Sequence, residues 1–220
     1  GSAWCHEVKF DGYRVQLRVE NGKVALNTRK GLDWADKFPE IALEGSTLPD
    51  AMLDGEIVAV DHDGLPDFSA LQAAIADGKT ANLVYFAFDL LFADGEDLRS
   101  LPLRERKVRL KRLLQSRKKG SVIRYVDHFE EEGEAVLRSA TQLKLEGIVS
   151  KKLDGRYQSG RSGGWTKAKV RAGHEVVLVE KEENLGGRAL GLLKTVPLSH
   201  PYTDVHDTGM GDMLRHSAER

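Results

Sequence analysis

Residues 83–92 read LVYFAFDLLF, an apolar run interrupted once, by Asp89. The run is far short of the roughly 20 residues that cross a membrane. Its aromatic and aliphatic content favours extended structure, and apolar residues at odd and even positions alike leave it no polar face. It is therefore expected as a strand buried on both faces. The surrounding sequence is also strand-rich. Val15 to Glu20 (VQLRVE) alternates apolar and polar, as does Lys23 to Asn27. Asn21-Gly22 between them suits the positive φ angles of a two-residue hairpin turn, and TRKG at 28–31 closes that hairpin. Ala51 to Asp61 is a further strand, and others are expected over 122–126, 146–153, 165–170 and 175–180. Helices are expected over Asp36 to Leu43 and over Phe68 to Ala76, the latter capped by Asp67 with Gly78 past its end. Two more are expected from Pro102, with Leu103, Leu110, Leu113 and Leu114 near helical spacing, and over Glu131 to Leu143. Strands dominate and helices fall between them irregularly. This pattern predicts an α+β domain with largely antiparallel sheets, not an alternating βαβ fold.

Charge is informative only in its distribution. Lys and Arg number 33 against 34 Asp and Glu, so bulk charge selects no partner. The segment RERKVRLKRLLQSRKK, residues 104–119, holds Glu105 as its one acid. It reads equally well as a phosphate-gripping helix and as a solvated face. One cysteine, Cys5, excludes an intramolecular disulfide and suits a reducing, cytoplasmic compartment. The start carries no signal-peptide pattern. A chain that opens abruptly in a strand is expected to be a piece of something longer.

Polar residues recur at the ends of the apolar strands: Lys9 and Asp11, Arg14, Arg29, Asp54 and Glu56, Glu146 and Lys151, Lys167 and Lys169. Each alone is weak. A Lys-x-Asp-Gly is more often a surface turn, and the two lysines of KAK share one strand face that solvent alone would explain. Their order and combination are more specific. KFDG, TRKG, DGEIVA, FAFDLL, EGIVSK and WTKAK follow one another from Lys9 to Lys169. In this the chain resembles the covalent nucleotidyltransferase superfamily of ATP-dependent DNA ligases, RNA ligases and mRNA capping enzymes. HEVKFDGYR, TRKGLDW, FAFDLLFADGEDLR and YQSGRSGGWTKAK are most similar to the ligase domain of bacterial multifunctional end-joining DNA ligases.

The resemblance implies an antiparallel-sheet-rich, ATP-grasp-like nucleotidyltransferase fold and a lysyl-AMP chemistry. Lys9 would be the nucleophile on the α-phosphate of ATP. AMP would then pass to the 5′-phosphate of a DNA nick and be displaced by the 3′-hydroxyl, in repair and end joining. A lysine with its usual pKa of about 10.4 is rarely a free amine at neutral pH, so neighbouring cations and partial burial are needed. Lys151, Lys167 and Lys169 would supply charge there and on the phosphates. Glu56 and Glu146 are the candidate ligands for Mg²⁺ or Mn²⁺, which needs only one or two carboxylates. Glu56 is also a candidate for the ribose hydroxyl. Phe88 matches the ring that stacks on adenine, although Phe86 lies on the same face two residues earlier. Glu7 is implied as the acceptor for the adenine amino group. Arg14 and Arg29 match arginines for nucleotide and nick phosphates, and Arg161 for the DNA backbone. Tyr157 and Trp165 flank these motifs, Trp165 reading rather as packing. Cys5 and His6 receive no catalytic role. The implied partners are nicked or broken duplex DNA and end-joining factors, with the protein a monomer.

The domains expected are an adenylation unit over 1–171 and an incomplete OB-like segment with an irregular tail over 172–220. Val176 to Leu193 resembles the first hairpin of an OB domain, but no final basic motif follows. The full ligation cycle is therefore expected to be weak. An RNA ligase or capping-type enzyme, and a non-catalytic module that binds nicked DNA, are the alternatives.

Overall fold

The computed structural model describes residues 3–118, 120–160, 164–170, 175–178 and 195–197. Its strands form two sheets. The first runs in the order β1 (Trp4–Val8), β8 (Gly147–Lys152), β9 (Trp165–Val170), β10 (Glu175–Leu178), β11 (Thr195–Pro197), with every pairing antiparallel. The second runs β3 (Lys23–Thr28), β2 (Tyr13–Glu20), β4 (Ala51–Val58), β5 (Val84–Ala93), β6 (Glu96–Asp97), also antiparallel. The short β7 (Ile123–Tyr125) lies parallel to β5, the one departure from antiparallel pairing among the described residues. The α+β reading holds.

The run at 83–92 is the middle of the second sheet, and both of its faces are covered. Tyr85, Ala87 and Leu90 join the main core with Leu17, Leu26, Leu53 and Ile57, under α1 (Pro39–Gly45) and α3 (Leu103–Leu114). Val84, Phe86 and Phe88 face the other way, with Val58, Val126 and the partly buried Phe10 and Trp165. Trp165 belongs to the first sheet, so this second cluster fills the seam between the sheets. The first sheet is covered on its far side by α4 (Gly133–Gln142), through Val136, Leu137 and Ala140 against Val8, Ile148 and Ala168.

Local sequence explains most boundaries. Asn21 and Gly22 take φ of 50° and 73°, as the tight hairpin between β2 and β3 requires. The Asp67 carboxylate accepts from Ala70 N at 2.9 Å and caps α2 (Phe68–Ala76). The helix expected over 36–43 is instead a 3₁₀ turn at Ala35–Lys37 followed by α1, because Pro39 lacks an N–H to continue a helix and starts a new one at its first position. The helix expected from Glu131 begins at Gly133.

The basic run is where the structure departs most from the expectation. Arg106 and Lys107 of α3 are each 1% exposed, so the run is neither wholly solvated nor wholly free for phosphates. Arg106 meets Asp89 of β5 in a bidentate pair, Nε to Oδ1 at 2.8 Å and Nη2 to Oδ2 at 2.9 Å. It also donates to the carbonyls of Leu101 and Gly155. The exposed members of the run pair with acids at the surface, Arg109 with Glu96 and Lys111 with Asp127. Beyond β9, the segment expected as OB-like lies mostly outside the described residues. Its β10 extends the first sheet from β9. Among the described residues no helix is long and apolar enough to cross a membrane.

Candidate active site

The two sheets bring their strand ends together around Lys9. This residue follows β1, whose register with β8 puts Val8 opposite Ile148, and Lys9 N donates to Gly147 O at 2.9 Å. That tether places the Lys9 ammonium on Glu146, the residue that precedes β8. Lys169 Nζ lies 3.0 Å from the other oxygen of the same carboxylate. Burial would raise the pKa of Glu146, but hydrogen bonds and charge from Lys9 and Lys169 hold it below the usual carboxylate range. Two glycines make this approach possible. A Cβ on Gly12 would lie 2.2 Å from Ile57 O, so only glycine lets the turn after Lys9 press against β4. Gly147 has φ +152°, and a Cβ there would lie 2.0 Å from Ala168 O.

The second sheet supplies Glu56, on β4 opposite Arg14 of β2. Burial pushes the Glu56 carboxyl up to about 7, although Lys167, Lys9 and Arg14 all pull it down. Lys167 of β9 is shifted below its ordinary range by burial and by the Lys9 charge. Arg14 is 44% exposed at its side chain but held firmly. Its Nε and Nη2 reach Asp54 Oδ1 and Oδ2 at 3.0 and 2.5 Å, and Tyr157 donates its hydroxyl to Oδ2 at 2.9 Å. The guanidinium also lies 5.5 Å from the Phe88 ring centre and 5.3 Å from that of Trp165.

Phe86 and Phe88, equivalent by alternation, are separated by a β-bulge. Asp54 pairs with Asp89 and Gly55 with Ala87, which leaves Phe88 as the extra residue. Phe86 stacks on Phe10 with centroids 4.2 Å apart, so that ring has one face covered. Phe88 instead meets Trp165 edge to face at 5.8 Å. Lys151 Nζ lies 4.4 and 4.2 Å from the centres of these two rings.

Glu7 is enclosed. Lys107 Nζ lies 2.7 Å from one of its oxygens and Lys151 Nζ 2.5 Å from the other. Burial opposes its charge, but the two ammoniums outweigh that and hold its pKa below the usual range. Thus Lys9, Arg14, Glu56, Phe88, Glu146, Lys151, Lys167 and Lys169 converge, while Glu7 stands behind Lys151. Arg29 is exposed in the turn after β3, and among the described residues no hydrogen bond or ion pair joins it to the cluster. Thr28 lies opposite Val15, so Arg29 stands at the same end of the sheet as Arg14. Arg161 lies outside the described residues. Cys5 and His6 are structural neighbours: burial pushes the Cys5 thiol up to about 11, and His6 Nδ1 lies 2.8 Å from Ser150 Oγ.

Sequence reasoning assigned no role to Asp54 or Lys107. A signal existed for Lys107. It stands four residues after Leu103 and three before Leu110, on the apolar stripe of its helix. Asp54 shares a strand face with Glu56, and a cation opposite would have been needed to single it out.

A two-sheet α+β domain with a lysine at a strand end, beside Glu146, Glu56, Lys167 and Lys169, agrees with the resemblance to the covalent nucleotidyltransferases. The family model for the ATP dependent DNA ligase domain matches residues 1–169, and the chain belongs to that family. It is similar to the multifunctional non-homologous end joining protein LigD of Pseudomonas aeruginosa, 42% identical over 187 residues, which are 84% of this chain and 22% of that protein. It is also similar to the multifunctional non-homologous end joining DNA repair protein LigD of Mycobacterium tuberculosis, 31% identical over 194 residues, 87% of this chain and 25% of that protein. The chain therefore spans a quarter or less of the length of these relatives. Among solved structures, a mycobacterial DNA ligase D complexed with ATP and MES superposes with a TM-score of 0.67 at 26% identity, over 81% of this chain and 65% of that one. The ligase domain of M. tuberculosis LigD gives a TM-score of 0.67 at 25% identity, over 89% and 67%.

Proposed function

We propose that this chain is the adenylating core of an ATP-dependent DNA ligase of the end-joining type, with Lys9 as its nucleophile. The observation that carries the reading is the Lys9 ammonium on Glu146, with Lys169 on the same carboxylate and Glu56 and Lys167 alongside. Glu146 positions the Lys9 head and shares its carboxylate with Lys169. A proton passes from Lys9 to solvent before the attack. The neutral amine attacks the α-phosphorus of ATP. A nitrogen–phosphorus bond forms, the bond to the bridging oxygen breaks, and pyrophosphate leaves with the electron pair. Lys167 and Lys169 balance the phosphate charge as it shifts to the leaving group, and Lys151 binds the nucleotide. Phe88 offers the base a ring that its bulge turns towards these cations, and Glu7 reads the base edge from behind Lys151.

The donor set also fits a divalent ion. Mg²⁺ or Mn²⁺ takes oxygen ligands and needs few from the protein, and Glu56 and Glu146 are carboxylates on facing sheets. Bound there, the ion would neutralise phosphate charge. In the later steps Arg14, pre-set by Asp54, and Arg29 hold the 5′-phosphate side of a nick, with Arg161 on the backbone. An oxygen of the 5′-phosphate attacks the AMP phosphorus and the bond to the Lys9 nitrogen breaks; the 3′-hydroxyl then attacks the 5′-phosphorus, AMP leaves, and the strand is sealed.

Incubation with α-labelled ATP and Mg²⁺ or Mn²⁺ tests this. Covalent label on the wild type, absent from Lys9→Ala, is expected. So are transfer to a nicked DNA duplex in preference to nicked RNA, and preference for ATP over GTP. No label on the wild type, or equal label on Lys9→Ala, removes the proposal.

A further inference from the structure

Three buried ionisable groups form a chain from α3 into the seam between the sheets. Lys107, 1% exposed, donates to Glu7 Oε1 at 2.7 Å and to Val126 O at 2.6 Å, and its Nζ lies 4.4 Å from the Tyr125 ring centre. Glu7, 2% exposed, turns its other oxygen to Lys151 Nζ at 2.5 Å. That contact takes at most one of the three ammonium donors, and among the described residues no other partner meets them, so the buried Lys151 ammonium keeps donors unspent. It presents them beside the Phe88 and Trp165 rings. The chain thus has two fixed points and one free end. Arg106 anchors α3 next to Lys107, the Val126 carbonyl pins the Lys107 head, and the free end lies against the Phe88 and Trp165 rings.

We propose that Lys107 is a positioning residue for nucleotide binding: it shares the charge of Glu7, which leaves Lys151 free to donate to a nucleotide bound against the Phe88 and Trp165 rings. The inference rests on the adenylation reading above. Its physical basis is charge sharing at low dielectric. With Lys107 present, one carboxylate is divided between two ammoniums and the group carries a net positive charge. Without that cation, Glu7 would draw on Lys151 alone. Lys151 would close into a one-to-one pair, its remaining donors would turn from the rings, and the cluster would become neutral where an anionic ligand has to sit. The interaction is made to substrate and transition state alike, so its loss falls on binding rather than on the chemical step.

The test is single-turnover labelling with α-labelled ATP across a range of concentrations. Lys107→Gln keeps an N–H donor for Glu7 and Val126 but removes the charge. It is expected to raise the half-saturating ATP concentration about tenfold while the maximal labelling rate stays within about twofold of wild type. Against a Glu7→Gln background, where the carboxylate that competes for Lys151 is gone, adding Lys107→Gln should move half-saturation by less than about twofold. Half-saturation unchanged in Lys107→Gln overturns the proposal, as does a fall in maximal rate that tracks a lost folded fraction. If Lys107→Gln does not fold alone, the Glu7→Gln background carries the test: a rise of about tenfold on adding Lys107→Gln to Glu7→Gln also overturns it. Wild-type protein that takes no label defeats the adenylation reading instead, an outcome readable before any variant is made.

Discussion

The pair between Asp89 and Arg106 should be among the costliest in the domain to break from one side. Asp89 is fully buried and Arg106 is 1% exposed. The guanidinium makes two bonds to the carboxylate and two to the carbonyls of Leu101 and Gly155. Arg106→Met fills similar space but strands a carboxylate in the core and leaves both carbonyls short of a donor. Removing one partner of a buried pair costs about 3–5 kcal/mol, a large part of a domain's usual 5–15 kcal/mol. Removing the charge on both sides, with Asp89→Asn and Arg106→Met together, should cost about 1–2 kcal/mol, because no uncompensated charge remains. Urea unfolding followed by tryptophan fluorescence would give both values and their coupling. A loss below about 1 kcal/mol in Arg106→Met, or strict additivity in the double variant, would refute the claim that this pair fixes α3. The pair matters for function because α3 also carries Lys107, and its anchor reaches the backbone at Gly155, just past β8.

Two further outcomes follow from the site. Glu56 has a folded pKa of about 7 against an unfolded value near 4.5, set chiefly by burial. Between those values the native state holds a proton that the unfolded chain has released, so stability falls as pH rises through this window, by on the order of 3 kcal/mol above pH 7. Glu56→Gln should flatten that slope and stabilise the nucleotide-free protein at pH 8 but hardly at pH 4. Urea midpoints that shift equally at both pH values would count against it. Gly12→Ala puts a methyl group 2.2 Å from the Ile57 carbonyl, a backbone atom that cannot swing aside. It should cost about 1–3 kcal/mol and, by moving the turn, suppress labelling of Lys9. Wild-type labelling in this variant would show that the close approach is dispensable.

The sequence alone carried most of the secondary structure and the order of the motifs, because both are local patterns. Doubly apolar 83–92 had to be central in a sheet, Asn21-Gly22 had to turn, and six ordered motifs marked strand ends that share a task. Distances along the chain did not carry pairing. Glu146 lies 137 residues from Lys9, and the two meet only because β1 lies beside β8. Alternation put Phe86 and Phe88 on one face, and a bulge that depends on the β4 register separated their surroundings. Composition made 104–119 a basic run. The helical stripe marked Lys107, but tertiary packing decided that Arg106 and Lys107 are buried, since a cation is buried only where a fixed acid, Asp89 or Glu7, offsets its desolvation.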